Sequence, residues 1–239
     1  MANDDIYEPR RTPTTRQVEL RGVEYALTEW GDASAPLLVC LHGFGDCGST
    51  FQFVVDELAQ DWFVVAPDWR GFGATRVAAE TFWFPDYLAD LDQLLRHYSP
   101  DDPVRLVGHS MGGNVAGLYA GARPERVAAF VNLEGFGLPD SKPGDAPRRY
   151  RDWLEKGSRL PGPIERPGYE ALTDAILRRS PRMTRDRAGF VARCWGTETS
   201  GGRVRLRMQP AHQMPNPVLC PRADPAASRR AGRADCMLV

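Results

Sequence analysis

A serine flanked by glycines, Gly108-His109-Ser110-Met111-Gly112, is the stretch best equipped for chemistry. Val104-Arg105-Leu106-Val107 before it is β-prone, and Gly113 to Tyr119 after it is small and helix-compatible. A G-x-S-x-G between a strand and a helix forms a nucleophile elbow. The turn is so sharp that only small neighbours permit it, which gives Gly108 and Gly112 steric jobs. It lifts the serine hydroxyl above the sheet, beside the positive end of the following helix. Such a hydroxyl suits attack on an electrophilic carbon once a base takes its proton. A glycine-rich turn with an idle serine carries the same pattern, so the surrounding stretches must decide.

Two further stretches converge on the same chemistry. Pro36-Leu37-Leu38-Val39-Cys40-Leu41 is a continuous apolar run, as expected of a buried strand, and it runs into His42-Gly43-Phe44-Gly45-Asp46. Trp62 to Ala66 is a second such strand, and Pro67-Asp68 stops it before Trp69-Arg70-Gly71-Phe72-Gly73. Ahead of both, Gln17 to Trp30 alternates like a half-exposed hairpin turning at Arg21-Gly22. Thr50 to Leu58 reads as a helix. Phe84, Tyr87, Leu88, Leu91, Leu94, Leu95 and Tyr98 fall at helical spacing, so Pro85 to Tyr98 is an amphipathic helix with proline in its first turn. Val127 to Leu133 is another buried strand, ending at Glu134-Gly135. This βαβαβαβ order implies an α/β fold with a parallel sheet covered on both faces.

Beyond the proline-rich break at 139–147 the texture changes. Arg149 to Lys156, Tyr169 to Arg179 and Arg185 to Trp195 read as helices with no strand between them, a helical insertion placed as a lid. The implied organisation is a core over 1–137, a lid over 138–218 and a return to the core over 219–239. Ala223 to Arg233 has helical room but lacks the apolar stripe of a helix packed on a sheet. Cys236 to Val239 looks like the start of a strand. The odd tail from Pro221 suggests a truncated or frame-shifted coding region.

The chain has 239 residues and a formal net charge of −1, which suits one α/β domain with an insertion. It shows no long apolar run for a membrane span and no secretory leader. Met1 to Thr15 is polar and expected to be loose. Cys40, Cys47, Cys194, Cys220 and Cys236 are odd in number and lack metal spacing, which points to reduced thiols and a cytoplasmic protein. Arginine carries most of the positive charge, with Lys142 and Lys156 the exceptions, and acids are interleaved with it, so no nucleic-acid partner is implied. The oligomeric state is left open.

With Leu41-His42-Gly43-Phe44-Gly45, Asp68-Trp69-Arg70-Gly71-Phe72-Gly73 and Gly108-His109-Ser110-Met111-Gly112-Gly113 in this order, the sequence resembles the α/β-hydrolase fold family, lidded serine-hydrolase type. The resemblance covers residues 17 to 137 well and the lid only by position. It implies a mostly parallel sheet, eight-stranded in complete members, and a Ser–acid–His triad in that chain order. Ser110 would be the nucleophile, and the backbone N–H groups of Phe44 and Met111 the oxyanion hole. Gly43 and Gly45 would let the main chain approach a carbonyl closely. His42, Gly43, Trp69 and Trp83, with Phe44, Phe82 and Phe84, are candidates for the substrate wall, although core packing explains any single aromatic as readily. The epoxide and haloalkane branch resembles this pattern too, but places Asp where Ser110 stands.

A competing motif is Gly43-x-Gly45-x-x-Gly48 with Asp68 about twenty residues on, the dinucleotide fingerprint. It opens no N-terminal βαβ unit and leaves the serine elbow unexplained.

The triad is incomplete in the sequence. His42 and His109 lie inside the two glycine motifs and make poor bases. His97 ends an amphipathic helix and reads as a surface residue. His212, in Pro210-Ala211-His212-Gln213-Met214-Pro215, is the one histidine with a chance of reaching Ser110. The family's base follows the last strand, which this chain does not reach, so no catalytic histidine is identified. Glu134 stands at one of the family's two acid positions and is equally a strand-end carboxylate. The expected activity is hydrolysis of small carboxylic esters or related acyl compounds through an acyl-enzyme, impaired by loss of the histidine, with a small acyl molecule as partner and no cofactor or metal. The alternatives are a non-catalytic pseudo-hydrolase binding a small apolar ligand, and a poorly folding remnant.

Overall fold

The computed structural model describes residues 6–137, 142–217 and 235–239. Its centre is a seven-stranded sheet in the order β1-β2-β4-β3-β5-β6-β10. Strands β1 (Thr14–Leu20) and β2 (Val23–Trp30) form the expected hairpin. Arg21 and Gly22 have φ of 52° and 72°, and two successive left-handed residues give the turn whose twist matches paired strands. β2 also pairs antiparallel with β4 (Phe63–Pro67). All other pairings are parallel, through β3 (Leu37–Leu41), β5 (Val104–His109), β6 (Val127–Leu133) and β10 (Asp235–Leu238). The fold class is thus α/β with a mixed, mostly parallel sheet, and β10 lies where Cys236 to Val239 was read as a strand. The helix expected over Ala223 to Arg233 lies outside the described residues.

The strand order decides where a site can form. From β3 the chain steps to one side to reach β4, whereas β5 and β6 lie on the other side. The carboxyl ends of β3 and β5 therefore flank the point where the winding reverses, and loops there part to leave a crevice. Residues 42–46 leave β3 at this place, and Ser110 leaves β5.

Both sheet faces are covered, which is why β3 is apolar throughout. Val39 and Leu41 pack with Leu106 and with Leu91, Leu94 and Leu95 of helix α2 (Phe84–Tyr98) and Tyr119 of α3 (Met111–Ala122). Leu38 and Cys40 face the other way, onto Trp30, Val64, Phe51 and Val55.

Three local expectations need correction. The helix read over Thr50 to Leu58 is a 3-10 turn at Gly48–Phe51 that continues into a single turn, α1 (Gln52–Val55). Buried Gln52 accepts a bond from Trp30 Nε1 at 2.9 Å and donates to the Arg11 carbonyl at 2.9 Å, so this turn serves as a tie rather than a covering helix. Residues 6–15 are pinned rather than loose: Asp56 accepts bonds from Tyr7 Oη at 2.7 Å and from the Arg11 amide at 2.8 Å.

The segment over 142–217 also holds strands as well as helices. Helices α4 (Ala146–Gly157), α5 (Tyr169–Arg179) and α6 (Arg185–Trp195) accompany a small antiparallel sheet of β7 (Glu165–Arg166), β9 (Val204–Leu206) and β8 (Gly196–Glu198). Strands of two and three residues leave no periodicity to read. Glu165, on β7, is bridged by Arg203 at 2.9 Å and Arg205 at 3.0 Å. Leu172, Ile176, Ala188, Val191, Ala192 and Val204 give this segment a core of its own. No helix among the described residues is long and apolar enough to cross a membrane.

Candidate active site

Ser110 has φ 48° and ψ −108°, a conformation that costs a non-glycine residue about 1–3 kcal/mol. Its surroundings over-determine it. The Ser110 amide donates to the Leu133 carbonyl at 2.7 Å, and the Ser110 carbonyl accepts from the Asn114 amide at 3.0 Å. The Gly112 amide donates to the His42 carbonyl at 3.1 Å, tying the serine turn to the loop after β3. At Gly112 a Cβ would lie 2.1 Å from the Leu41 carbonyl oxygen, so glycine is obligatory there. At Gly43 a Cβ would stand 2.8 Å from His109 Nδ1 and 3.3 Å from Ser110 Cβ. The two glycine motifs exist because two loops press against each other.

Met111 is the first residue of α3, so its amide belongs to the helix end that has no intrahelical partner. Phe44 lies in the facing loop and is 54% exposed. That loop is braced by Asp46, whose Oδ1 accepts from the Cys47 amide at 2.8 Å, Thr50 Oγ1 at 2.8 Å and Trp195 Nε1 at 2.7 Å. The last bond comes from α6 and links the 142–217 segment to the loop.

Ser110 opens into a cavity of about 290 Å³. Phe44, Phe82, Trp83, Phe84, Met111 and His212 contribute to its wall. None of the described residues lining it is charged. Trp83, a candidate for the substrate wall in the sequence, lies in the wall of this cavity. Trp153 of α4, Tyr87 and Asn114 also line the cavity and were not singled out from sequence. For Trp153 the available signal was a tryptophan beside Tyr150 and Leu154 on a helix otherwise rich in charge.

His42 and Trp69, expected in the substrate wall, lie beneath it. His42 is fully buried, and Trp69 is 1% exposed. The Trp69 amide donates to His42 Nε2 at 2.8 Å, and Trp69 Nε1 donates to the His42 carbonyl at 3.0 Å. His42 Nδ1 faces the Gly43 carbonyl at 2.7 Å, so this nitrogen holds the ring proton. Burial pushes the His42 imidazole down from its ordinary value. The pair locks the loop after β3 to the loop after β4.

Asp68 supplies the matching brace and removes the dinucleotide reading. Its carboxylate accepts from the Gly48 amide at 2.7 Å and the Ala74 amide at 2.8 Å. A buried acid engaged by two backbone amides is not available to a ribose. Burial holds its carboxyl above the usual range.

Glu134 sits at the end of β6 with φ 61°, exposed to solvent, its amide donating to the Val239 carbonyl at 3.1 Å. It does not line the cavity. His97 is exposed at the end of α2, as expected. His212 does reach the cavity, stacked between Phe72 at 3.8 Å and Phe82 at 3.7 Å. Among the described residues Ser110 Oγ makes no hydrogen bond to a histidine, and no cluster of three or more His, Cys, Asp or Glu side chains could hold a metal ion.

A sequence profile of the alpha/beta hydrolase fold matches residues 36–196. The chain belongs to the alpha/beta hydrolase fold family. A serine hydrolase-like protein of Danio rerio is 36% identical over 122 residues, which cover 50% of this chain and 36% of that protein. Epoxide hydrolase A of Mycobacterium tuberculosis is 32% identical over 130 residues, covering 53% of this chain and 40% of that protein. The chain thus matches well under half the length of these relatives. Among solved structures, a thioesterase domain from the curacin biosynthetic pathway superposes with a TM-score of 0.83 at 24% identity, covering 95% of this chain and 82% of that one. An M. tuberculosis esterase superposes with a TM-score of 0.66 at 22% identity, covering 95% and 72%. Within the alpha/beta hydrolase fold family, the relatives of this chain thus span serine-hydrolase, esterase and epoxide-hydrolase names.

Proposed function

We propose that the chain hydrolyses small, neutral carboxylic esters or related acyl compounds, with Ser110 as nucleophile. The observation that carries this reading is the strained Ser110 turn opening into an uncharged, aromatic-walled cavity. In this mechanism Oγ attacks the carbonyl carbon, its proton passes to water because no histidine faces it among the described residues, and the electron pair moves onto the carbonyl oxygen. The amides of Phe44 and Met111 receive that oxyanion. Collapse expels the alkoxide, which takes a proton from water and departs as the alcohol, and leaves an acyl-enzyme that water cleaves to the acid and free Ser110. Glu134 is the candidate acid, and the 142–217 segment is the lid that shapes the acyl pocket. The serine hydrolase-like and esterase names among the relatives agree with a serine nucleophile. Epoxide opening fits less well, because Ser110 occupies the place of that branch's aspartate.

A second reading, a non-catalytic receptor for a small apolar ligand, is favoured by one observation. Among the described residues Ser110 has no histidine at hydrogen-bond distance to take its proton. A fluorophosphonate probe and a p-nitrophenyl ester series separate the two. Hydrolysis and labelling that both vanish in Ser110→Ala support the enzyme. An unlabelled serine, with ligand binding unchanged in Ser110→Ala, supports the receptor.

A further inference from the structure

His212 is held on three sides. Phe72 covers one ring face at an interplanar angle of 20°, and Phe82 covers the other at 11°. Nε2 lies 3.1 Å from the Arg70 carbonyl. This close approach is built in: a Cβ on Gly71 would stand 2.5 Å from Nε2, and Gly71 has φ 78°. The carbonyl behind it is steadied in turn, because Arg70 makes two bonds to Asp90, at 2.5 and 2.6 Å.

A carbonyl oxygen only accepts, so Nε2 must carry the proton of the neutral ring. Nδ1 is then an acceptor. It has no protein partner among the described residues, and it is not a sealed, unsatisfied atom. The edge that remains belongs to a residue sharing the cavity wall with Ser110 and Phe44. The Phe44 ring meets the imidazole edge-on at 5.8 Å.

We infer that His212 is a substrate-recognition residue whose Nδ1 accepts a hydrogen bond from a hydroxyl or N–H that the acyl compound carries near its carbonyl. The inference rests on reading Ser110 as the nucleophile only for where that carbonyl lies. It selects hydroxyacyl or acylamino compounds over plain acyl analogues, which leave the acceptor dry and unpaired. It also separates His212 from the role of base. An imidazolium between two aromatic faces would have no carboxylate partner among the described residues, and burial pushes its pKa down to about 4. So weak a base drives proton transfer from serine poorly at neutral pH, yet stays neutral and accepting.

The probes are methyl mandelate and methyl phenylacetate, which differ by one hydroxyl, titrated into the Ser110→Ala chain so that neither is consumed. Methyl mandelate should bind about three- to tenfold more tightly. Adding His212→Phe, which keeps both ring stacks, should erase that ratio. A histidine ¹⁵N spectrum of the unsubstituted protein guards against a variant that folds badly. At pH 7 His212 should show the Nε2–H tautomer, and its Nδ1 signal should move with methyl mandelate and not with methyl phenylacetate. Equal affinities in Ser110→Ala, or an Nδ1–H tautomer, overturn the inference. Failure of the nucleophile reading looks different: no fluorophosphonate labelling of Ser110, with the hydroxyl preference intact.

Discussion

Residue by residue, the site is made of side chains that serve as braces around the Ser110 turn. His42, Trp69 and Asp68 all sit in the family motifs, and all spend their polar atoms on the main chain of neighbouring loops. His212 has a thermodynamic consequence of its own. Its folded pKa is lowered from 6.5 to about 4, so the folded state binds fewer protons than the unfolded state between those values. Stability is therefore full above pH 6.5 and is lost as pH falls toward 4. Between pH 7 and pH 5 this group should withdraw about 2 kcal/mol. Urea unfolding at the two pH values checks this, and His212→Phe should show a correspondingly shallower decline.

Among the elements, the crevice depends on loops being tied to α2. Asp90 on that helix is buried, takes both bonds from Arg70, and also accepts from Tyr25 Oη and from Arg21 Nη1 at 2.9 Å. Removing its charge leaves a largely buried guanidinium with only the more distant Asp86 carboxylate, at 3.8 Å. Asp90→Asn should cost about 3 kcal/mol in urea unfolding, more than any single exposed ion pair of the 142–217 segment. The α2 stripe was fully legible in sequence because seven apolar residues at helical spacing have no other explanation. The same holds for β3, which is buried on both faces. The Asp90 cluster was not legible, since it gathers residues 21, 25, 70 and 90 that only the fold brings together. The β7-β9-β8 sheet was missed because its strands are too short to repeat. Ser110 was legible because its turn demands glycines on both sides, whereas Trp153 reaches the cavity by tertiary packing that leaves no local mark.

At the scale of the molecule the described residues hold a hydrophobic body on the two faces of the main sheet and a smaller one within the 142–217 segment. The cluster on the α2 and α3 side of the sheet has twenty buried residues, and the cluster of α5, α6 and β9 has six. Opening free energy follows buried apolar contact, so the smaller body should open first. Native-state hydrogen exchange should show amides of 169–195 exchanging at a lower free energy than those of β3 and β5. Uniform protection across both would contradict this division. A joint between the bodies, the Trp195–Asp46 bond, bears on the loop that carries Phe44. Opening of the smaller body is thereby felt at the Phe44 side of the crevice.

The distribution of indoles gives the protein an optical readout. Trp30 and Trp69 are sealed in the interior and shielded from any ligand in the cavity. Trp83 and Trp153 stand in the cavity wall, where an occupant displaces solvent from their rings. Filling the crevice should shift tryptophan emission to shorter wavelength, and Trp83→Phe together with Trp153→Phe should silence that shift while the interior emission persists. Occupancy can thus be followed by intrinsic fluorescence, without a label and without turnover.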